Sequence, residues 1–204
     1  INQAAGEKAV AVSDETFFYL TRAKELSAAS GGLFDLTIAP LTTLWGITSD
    51  APRVPDASEI ASAKALVGFE DLILDETSRT AMLARKGQAI DLGGIAKGLL
   101  SNDIRTIFEK YEIPAGYVSL GGNIVSVGTK EDGSPYLFGV RDPRGDETQY
   151  IGTVALTDTV MATTGDYERY FEQDGVRYHH VIDPKTGSPA DTDLISVSVI
   201  APDG

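Results

Sequence analysis

The chain has 204 residues, 42% of them hydrophobic and 23% charged, which is typical of a globular protein long enough to bury a core. Its 30 acidic residues outnumber its 17 basic ones, and the formal charge of -13 argues against nucleic acid and anionic membrane surfaces as partners. The absence of cysteine excludes disulfides, thiolate metal sites and a thiol nucleophile.

Helical patterns dominate the first half of the chain. Ser13 is a predicted N-cap for an amphipathic helix that ends near Gly31. Asp56 and Glu59 form the pattern of a capping box, which predicts a second helix over about residues 57–67.

Leu72, Leu74 and Met82 follow the alternation of a short antiparallel hairpin that turns at residues 77–78. The clearest helix of the chain opens at Gly93 and Gly94. Its apolar residues fall on one face from Ile95 onward, and Pro114 closes it.

The second half of the chain consists mainly of strand-like runs separated by Gly, Asp and Pro. These runs are residues 118–120, 124–127, 136–140, 151–156, 167–171, 177–180 and 194–200. Helices early and strands late predict an α+β fold with an antiparallel sheet, because alternating βαβ units would mix the two throughout the chain.

The strongest local signal for a binding site is residues 91–98, which read Asp-Leu-Gly-Gly-Ile-Ala-Lys-Gly. Gly93 and Gly94 allow backbone N–H groups to approach a ligand closely, and the start of a helix attracts anions. Lys97 would oppose the helix dipole unless an anionic ligand lay beside it. The spacing fits an anion site and an ordinary loop-to-helix junction about equally, and it matches neither the dinucleotide fingerprint nor the P-loop.

The only two histidines, His179 and His180, are adjacent. Because neighbouring residues of a strand point to opposite faces, we do not expect both to bind one metal. His180 could act as a general base, since imidazole titrates near neutral pH, although a structural histidine is the more common case.

Three further features are weak by themselves. Gly121 and Gly122 are typical of a tight turn between two strands. Residues 163–167 predict either a hairpin or a turn with hydroxyl groups facing a phosphate. Trp45, the single tryptophan, is more often part of a core than a platform for a stacked ligand ring.

Together these motifs resemble the ApbE family, the FAD:protein FMN transferases, in both order and spacing. The shared pieces are Phe34, Asp35, Leu36, Thr37, Pro40, Leu41, Trp45, Gly46, residues 91–98, Gly121, Gly122, Asn123, residues 163–167 and residues 180–187. The resemblance covers nearly all of residues 1–204. It implies a T-fold-related α+β domain with an antiparallel sheet and packed helices, which binds FAD in an elongated cleft with Mg²⁺ at the pyrophosphate.

The resemblance also implies roles for single residues. His180 would be the catalytic base, and the backbone carbonyl of Gly94 would be a metal ligand. Gly94 stands where the family often has alanine, and Thr164 stands where it usually has serine. The residues implied in contact with FAD are Asn2, Phe34, Asp35, Thr37, Asp91, Lys97, Gly121, Gly122, Asn123, Thr164 and Ile182.

The implied reaction is attack by a threonine or serine hydroxyl of a target flavoprotein on the FMN-side phosphorus of FAD, with release of AMP. Two alternatives stay open at this point. One is a Mg²⁺-dependent FAD pyrophosphatase that uses water and gives FMN and AMP, and the other is a non-catalytic FAD-binding protein. No nucleic acid partner is expected.

The resemblance places further Mg²⁺ ligands on a helix after the strand that ends at Ile200, and flavin contacts before Ile1. We therefore expect residues 1–204 to be a single ApbE-like domain without its N-terminal segment and its C-terminal metal-binding segment. The family also implies a location in the cell envelope, at the extracytoplasmic face of the cytoplasmic membrane, with any lipid anchor outside this chain.

Overall fold

The structure, a computed structural model, describes residues 1–146 and 148–204. The α-helices of these residues are α1 (Asp14–Ala29), α2 (Ala39–Trp45), α3 (Ala57–Lys64) and α4 (Ala96–Lys110). The strands are β1 (Val10–Ala11), β2 (Leu72–Asp75), β3 (Thr80–Leu83), β4 (Gly116–Leu120), β5 (Asn123–Val127), β6 (Tyr136–Arg141), β7 (Tyr150–Leu156), β8 (Val160–Gly165), β9 (Tyr170–Gln173), β10 (Val176–His179), β11 (Ile182–Asp183), β12 (Ser188–Pro189) and β13 (Ser196–Ala201). Within the described ranges, no helix combines the length and the apolar character that crossing a membrane requires.

The described residues form two units. Unit 1 comprises Ile1–Gly94 and Arg169–Asp191, and unit 2 comprises Ile95–Glu168 and Thr192–Gly204. The pairs that build the sheets in both units are antiparallel, which confirms the predicted α+β class. The expectation that residues 1–204 act as one domain stays a prediction.

In unit 1, α1 packs on a three-stranded sheet with the strand order β1-β3-β2. The helix begins as predicted, because Ser13 Oγ accepts a hydrogen bond of 3.1 Å from the backbone N–H of Thr16. Its buried side chains recur every three or four residues and so share one face. They are Phe17, Leu20, Ala23 and Ser27.

The predicted capping box of α3 is also present. The Asp56 side chain accepts a hydrogen bond from the third helical N–H, and Glu59 Oε2 accepts one of 2.9 Å from the Asp56 backbone N–H. Both guanidinium Nη atoms of Arg53 lie 2.7 Å from the Glu59 carboxylate. The helix ends at Lys64, three residues before the predicted end.

These contacts predict a pH dependence for α3. The Arg53 guanidinium and then the Asp56 N–H lower the pKa of Glu59 from 4.5 to about 2. Because the folded pKa is depressed, this carboxylate stabilises the helix start above pH 4.5, and the contribution is lost as the pH falls toward 2. An NMR titration of the Glu59 carboxyl carbon measures the pKa. Arg53→Met is expected to raise it toward the ordinary value, and a wild-type pKa already near 4.5 would contradict the prediction.

Helix α2 is not predicted from the sequence. It has only seven residues, with Pro40 in its first turn, and it ends at Gly46 in the left-handed conformation with φ of 57°. Leu41 and Trp45 are buried, and together with Ile182 they form the centre of an apolar cluster in unit 1. The helix therefore owes its stability to packing, which a short sequence pattern does not reveal.

Unit 2 contains a four-stranded sheet with the order β13-β8-β5-β4, a separate hairpin of β6 and β7, and α4, which packs on β5 and β8. Adjacent strands of the larger sheet run antiparallel. The buried apolar residues of this unit are Leu99, Val125, Leu156, Val160 and Met161.

Two predictions about unit 2 and the segment that follows β8 have the wrong bounds. The turn predicted within residues 163–167 is confined to Asp166 and Tyr167, because Thr163 and Thr164 lie in β8, where they pair with Ser198 and Val197. Threonine favours strands because its branched side chain suits a pleated surface, so the chain turns only after β8 ends. The strand expected over residues 167–171 begins instead at Tyr170.

Candidate functional site

The loop that ends at Gly94 in unit 1 is shaped by Asp91. The Asp91 backbone N–H donates to the Leu36 carbonyl at 2.9 Å, and its Oδ1 accepts a 2.8 Å hydrogen bond from the Gly93 N–H. The hydroxyl of Thr42, on α2, lies 3.5 Å from Asp91 Oδ2. One carboxylate oxygen thus fixes the glycine backbone, while the other faces a hydroxyl at a distance that is long for a hydrogen bond.

Asn2 and Phe34 lie at the same loop. The Asn2 amide makes two hydrogen bonds with Ile90, since its Nδ2 donates to the Ile90 carbonyl at 3.1 Å and its Oδ1 accepts from the Ile90 N–H at 2.9 Å. A Cβ added to Gly94 would lie 3.0 Å from the Phe34 ring. The structure therefore brings four predicted site residues, Asn2, Phe34, Asp91 and Gly94, into one part of unit 1.

Asp35 and Thr37 are buried, and their polar atoms bind other parts of unit 1. Asp35 Oδ1 accepts hydrogen bonds from the Thr37 N–H at 2.8 Å and the Thr37 hydroxyl at 2.7 Å, and its Oδ2 accepts one of 3.1 Å from the Phe69 N–H. The Thr37 hydroxyl oxygen also accepts a hydrogen bond of 2.8 Å from the Gly68 N–H. Both side chains hold the backbone at residues 68–69, and their contact with FAD stays a prediction.

The two histidines contact different backbone carbonyls, and β10 ends at His179, so His180 lies just after the strand. His180 is half-buried; its N–H donates to the Arg169 carbonyl at 3.1 Å, and its Nδ1 lies 3.3 Å from the same oxygen. His179 Nε2 lies 3.0 Å from the Ala190 carbonyl. Ile182 is buried in the apolar cluster with Trp45, so its side chain serves packing.

Helix α2 contacts both of the motifs described for unit 1. Thr42 lies beside Asp91, and one turn later Trp45 Nε1 donates a 2.8 Å hydrogen bond to the Gly187 carbonyl. Neither residue is among those predicted from the sequence to contact FAD. The sequence contained one signal that could have linked Thr42 and Trp45. They are three residues apart, and residues at this spacing lie on the same face of a helix.

In unit 2, Lys97 is the second residue of α4 and lies beside the turn between β4 and β5. Its Nζ is 3.5 Å from the Gly121 carbonyl, and the side chain is half-buried. Asn123 follows the turn as the first residue of β5 and is 7% exposed. The helix starts at Ala96 without a side-chain cap, two residues after the predicted start.

The glycine turn and Thr164 lie at the same end of the four-stranded sheet. The turn joins the last residue of β4 to the first of β5, and β8 runs antiparallel to β5 and continues past their paired residues to Thr164. Gly121 and Gly122 have φ of 55° and 95°, and a Cβ on either would meet no atom within 4 Å. Open space therefore lies beside a turn with Lys97 at its edge.

Gly122→Ala tests the conformational demand of this turn. Because φ of 95° strains any residue with a Cβ while space is available, we expect a loss of about 1–3 kcal/mol in unfolding free energy. Gly152→Ala in β7 is the matched control, since that glycine also has open space but no positive φ. Denaturant unfolding measures both variants, and equal stabilities would contradict the argument.

Comparison with known proteins identifies the family. The model of the ApbE family matches residues 1–204. The chain belongs to the ApbE family. It is 38% identical over 203 residues to a FAD:protein FMN transferase of Klebsiella pneumoniae, covering all of this chain and 62% of that protein.

Solved structures of ApbE proteins have the same fold. The ApbE protein of Thermotoga maritima superposes with a TM-score of 0.93 at 39% identity, over 100% of this chain and 65% of its own. The flavin transferase ApbE of Vibrio cholerae superposes with a TM-score of 0.85 at 31% identity, over 99% of this chain and 64% of its own. The family and fold class predicted from the motifs are confirmed, and the chain spans just under two thirds of these relatives.

Proposed function

We propose that the protein to which this ApbE chain belongs is a FAD:protein FMN transferase. It moves FMN from FAD to a threonine or serine hydroxyl of a target flavoprotein and releases AMP. The observation that carries the proposal is the 38% identity over 203 residues to a relative of that name. The matched region includes every motif on which the family resemblance was based.

Charge supports the assignment of Lys97 to the diphosphate of FAD. With a formal charge of -13, the chain repels a dinucleotide unless local positive groups attract it. Lys97 supplies one such group in the first turn of α4, where the helix dipole also favours an anion. The open space at Gly121 and Gly122 would let the ligand approach the backbone closely.

His180 would take the proton of the attacking hydroxyl. A proton on Nδ1, which faces the Arg169 carbonyl, leaves the lone pair of the neutral imidazole on Nε2. As the acceptor oxygen bonds to the FMN-side phosphorus, the bond from that phosphorus to the bridging oxygen breaks. AMP leaves with the bridging oxygen, and the hydroxyl proton moves to Nε2.

The proposal includes Mg²⁺, which would supply charge neutralisation at the phosphates. The Gly94 carbonyl would provide one oxygen ligand. Residues 1–146 and 148–204 hold no group of three or more His, Asp or Glu side chains that could bind a metal ion. We assign no reaction step to the ion.

The experiment is to incubate the full-length protein with FAD and Mg²⁺, with and without an acceptor protein, and to measure AMP and covalently bound flavin. The proposal predicts AMP in equal amount to flavinylated acceptor, and little AMP when the acceptor is omitted. Rapid AMP release without acceptor would identify a FAD pyrophosphatase. Binding of FAD with no AMP under either condition would identify a carrier.

We propose further that the protein acts at the extracytoplasmic face of the cytoplasmic membrane. Only the family resemblance supports this location, and any lipid anchor would lie outside residues 1–204. Fractionation of cells expressing the full-length protein tests it, and recovery in the cytoplasmic fraction would contradict it.

A further inference from the structure

Trp45 contacts the chain on both sides of His180. It is 2% exposed, and its Nε1 donates a 2.8 Å hydrogen bond to the carbonyl of Gly187, which follows His180. Its ring also stacks on Tyr178, which precedes His180, with the ring centroids 5.5 Å apart and the planes inclined by 30°. The Trp45 side chain thus contacts the segment that carries the imidazole at two residues, Tyr178 and Gly187.

The stack extends to a third ring. Tyr178 lies directly opposite Phe171 in the β9–β10 pair, and their rings are 5.1 Å apart with an interplanar angle of 20°. We call Trp45, Tyr178 and Phe171 the aromatic stack. Because β9 and β10 form a sheet of only two strands, which is marginally stable alone, the hairpin depends on packing such as this stack for a fixed position.

The turn after His180 is packed closely as well. Gly187 has φ of 80°, and a Cβ there would lie 2.7 Å from Ile60 Cγ2 and 3.3 Å from Leu41 Cδ2. Ile182 packs against Trp45 and Leu41 in the apolar cluster. Three points around His180 are therefore fixed: Tyr178, Ile182 and Gly187.

We propose that Trp45 is a positioning residue for His180. This inference rests on the proposed function, in which the imidazole takes a proton from the acceptor hydroxyl. A general base must lie within about 2.6–3.2 Å of the atom that it deprotonates, and a misplacement of about 1 Å can lower a rate 10²-fold. The hydrogen bond to Gly187 and the stack on Tyr178 fix the chain after and before His180. In this way they keep the imidazole within the distance that proton transfer requires.

Trp45→Phe tests the inference in the full-length protein, because it keeps an aromatic ring and removes the N–H donor. We expect kcat for AMP release in the presence of acceptor to fall about tenfold, with less than about a twofold change in KM for FAD. In a His180→Ala background the same substitution should have almost no further effect on kcat. Phe18→Leu is the control, since it alters an aromatic residue of unit 1 that is 52% exposed and should leave kcat unchanged.

A second variant and a spectroscopic measurement distinguish a positioning effect from a loss of folding. Tyr178→Leu removes the middle of the aromatic stack and keeps Trp45, whose fluorescence then reports its environment. We expect a similar fall in kcat, a shift of Trp45 emission to longer wavelength, and a thermal unfolding transition that remains cooperative. If Trp45→Phe does not fold, Tyr178→Leu decides the question with the same rate measurements.

The outcomes separate the inference from the proposed function. A wild-type protein that never makes AMP would overturn both. An active wild type, an impaired His180→Ala variant, and Trp45→Phe and Tyr178→Leu variants with wild-type kcat would overturn the inference alone. Equal kcat losses from Trp45→Phe with and without His180 would also overturn it, because Trp45 would then act independently of the imidazole.

Discussion

Replacing His180 with alanine is expected to lower kcat for AMP release about 10²–10⁴-fold, the usual contribution of a general base. FAD binding should change little, because the assigned role of the imidazole concerns the acceptor hydroxyl. Stopped reactions analysed for AMP and flavinylated acceptor measure the rate, and equilibrium titration with FAD measures binding.

The neighbouring histidine provides the control for this experiment. His179→Gln keeps an N–H donor that can reach the Ala190 carbonyl, the group 3.0 Å from His179 Nε2. Its kcat should stay within about threefold of wild type, since it lies outside the proposed reaction. Comparable losses in the two variants, or unchanged AMP release after His180→Ala, would show that the base assignment is wrong.

Asp35→Ala is expected to lower the free energy of unfolding by about 3–5 kcal/mol, because it leaves three donors without their carboxylate acceptor in a buried region. These donors are the N–H and hydroxyl of Thr37 and the N–H of Phe69. Asp35→Asn should lower the free energy of unfolding by less than Asp35→Ala. Its amide oxygen can still accept hydrogen bonds from Thr37, but its amide nitrogen is a donor and cannot accept one from the Phe69 N–H. Chemical denaturation measures both variants.

Asp132 offers a matched control for this prediction. Its Oδ1 accepts one hydrogen bond of 2.9 Å from the Ser134 N–H and one of 2.6 Å from the Ser134 hydroxyl. The same local arrangement joins Asp35 to Thr37. Asp132 is exposed, so water can replace the lost acceptor and Asp132→Ala should be much less destabilising. Similar losses at the two positions would mean that the buried link to Phe69 contributes little.

The features that the sequence predicted correctly in the fold are mostly local. Ser13 bonds to Thr16 and Glu59 to Asp56, three residues apart in each case, so the residue pattern contains the whole interaction. Helix α2 and strand β8 escaped prediction because each is stabilised by residues distant in the chain. Trp45 bonds to Gly187 across 142 positions, and β8 pairs with β13 across more than 30.

The candidate site shows the same division. The structure brings Asn2, Phe34, Asp91 and Gly94 together in unit 1, although they come from distant parts of the sequence, and their contact with a ligand stays a prediction. The sequence could not indicate how their polar atoms are used. Asp35, for example, is a predicted ligand contact whose carboxylate binds Phe69 and Thr37, and no periodicity or spacing distinguishes that arrangement from a carboxylate open to FAD.

Recombinant versions of this protein that start after Asn2 would lose both hydrogen bonds to Ile90. That residue lies 88 positions later and immediately precedes Asp91, so trimming the beginning of the chain would loosen a glycine loop far along it. Affinity tags and crystallisation fragments are therefore best joined upstream of this asparagine.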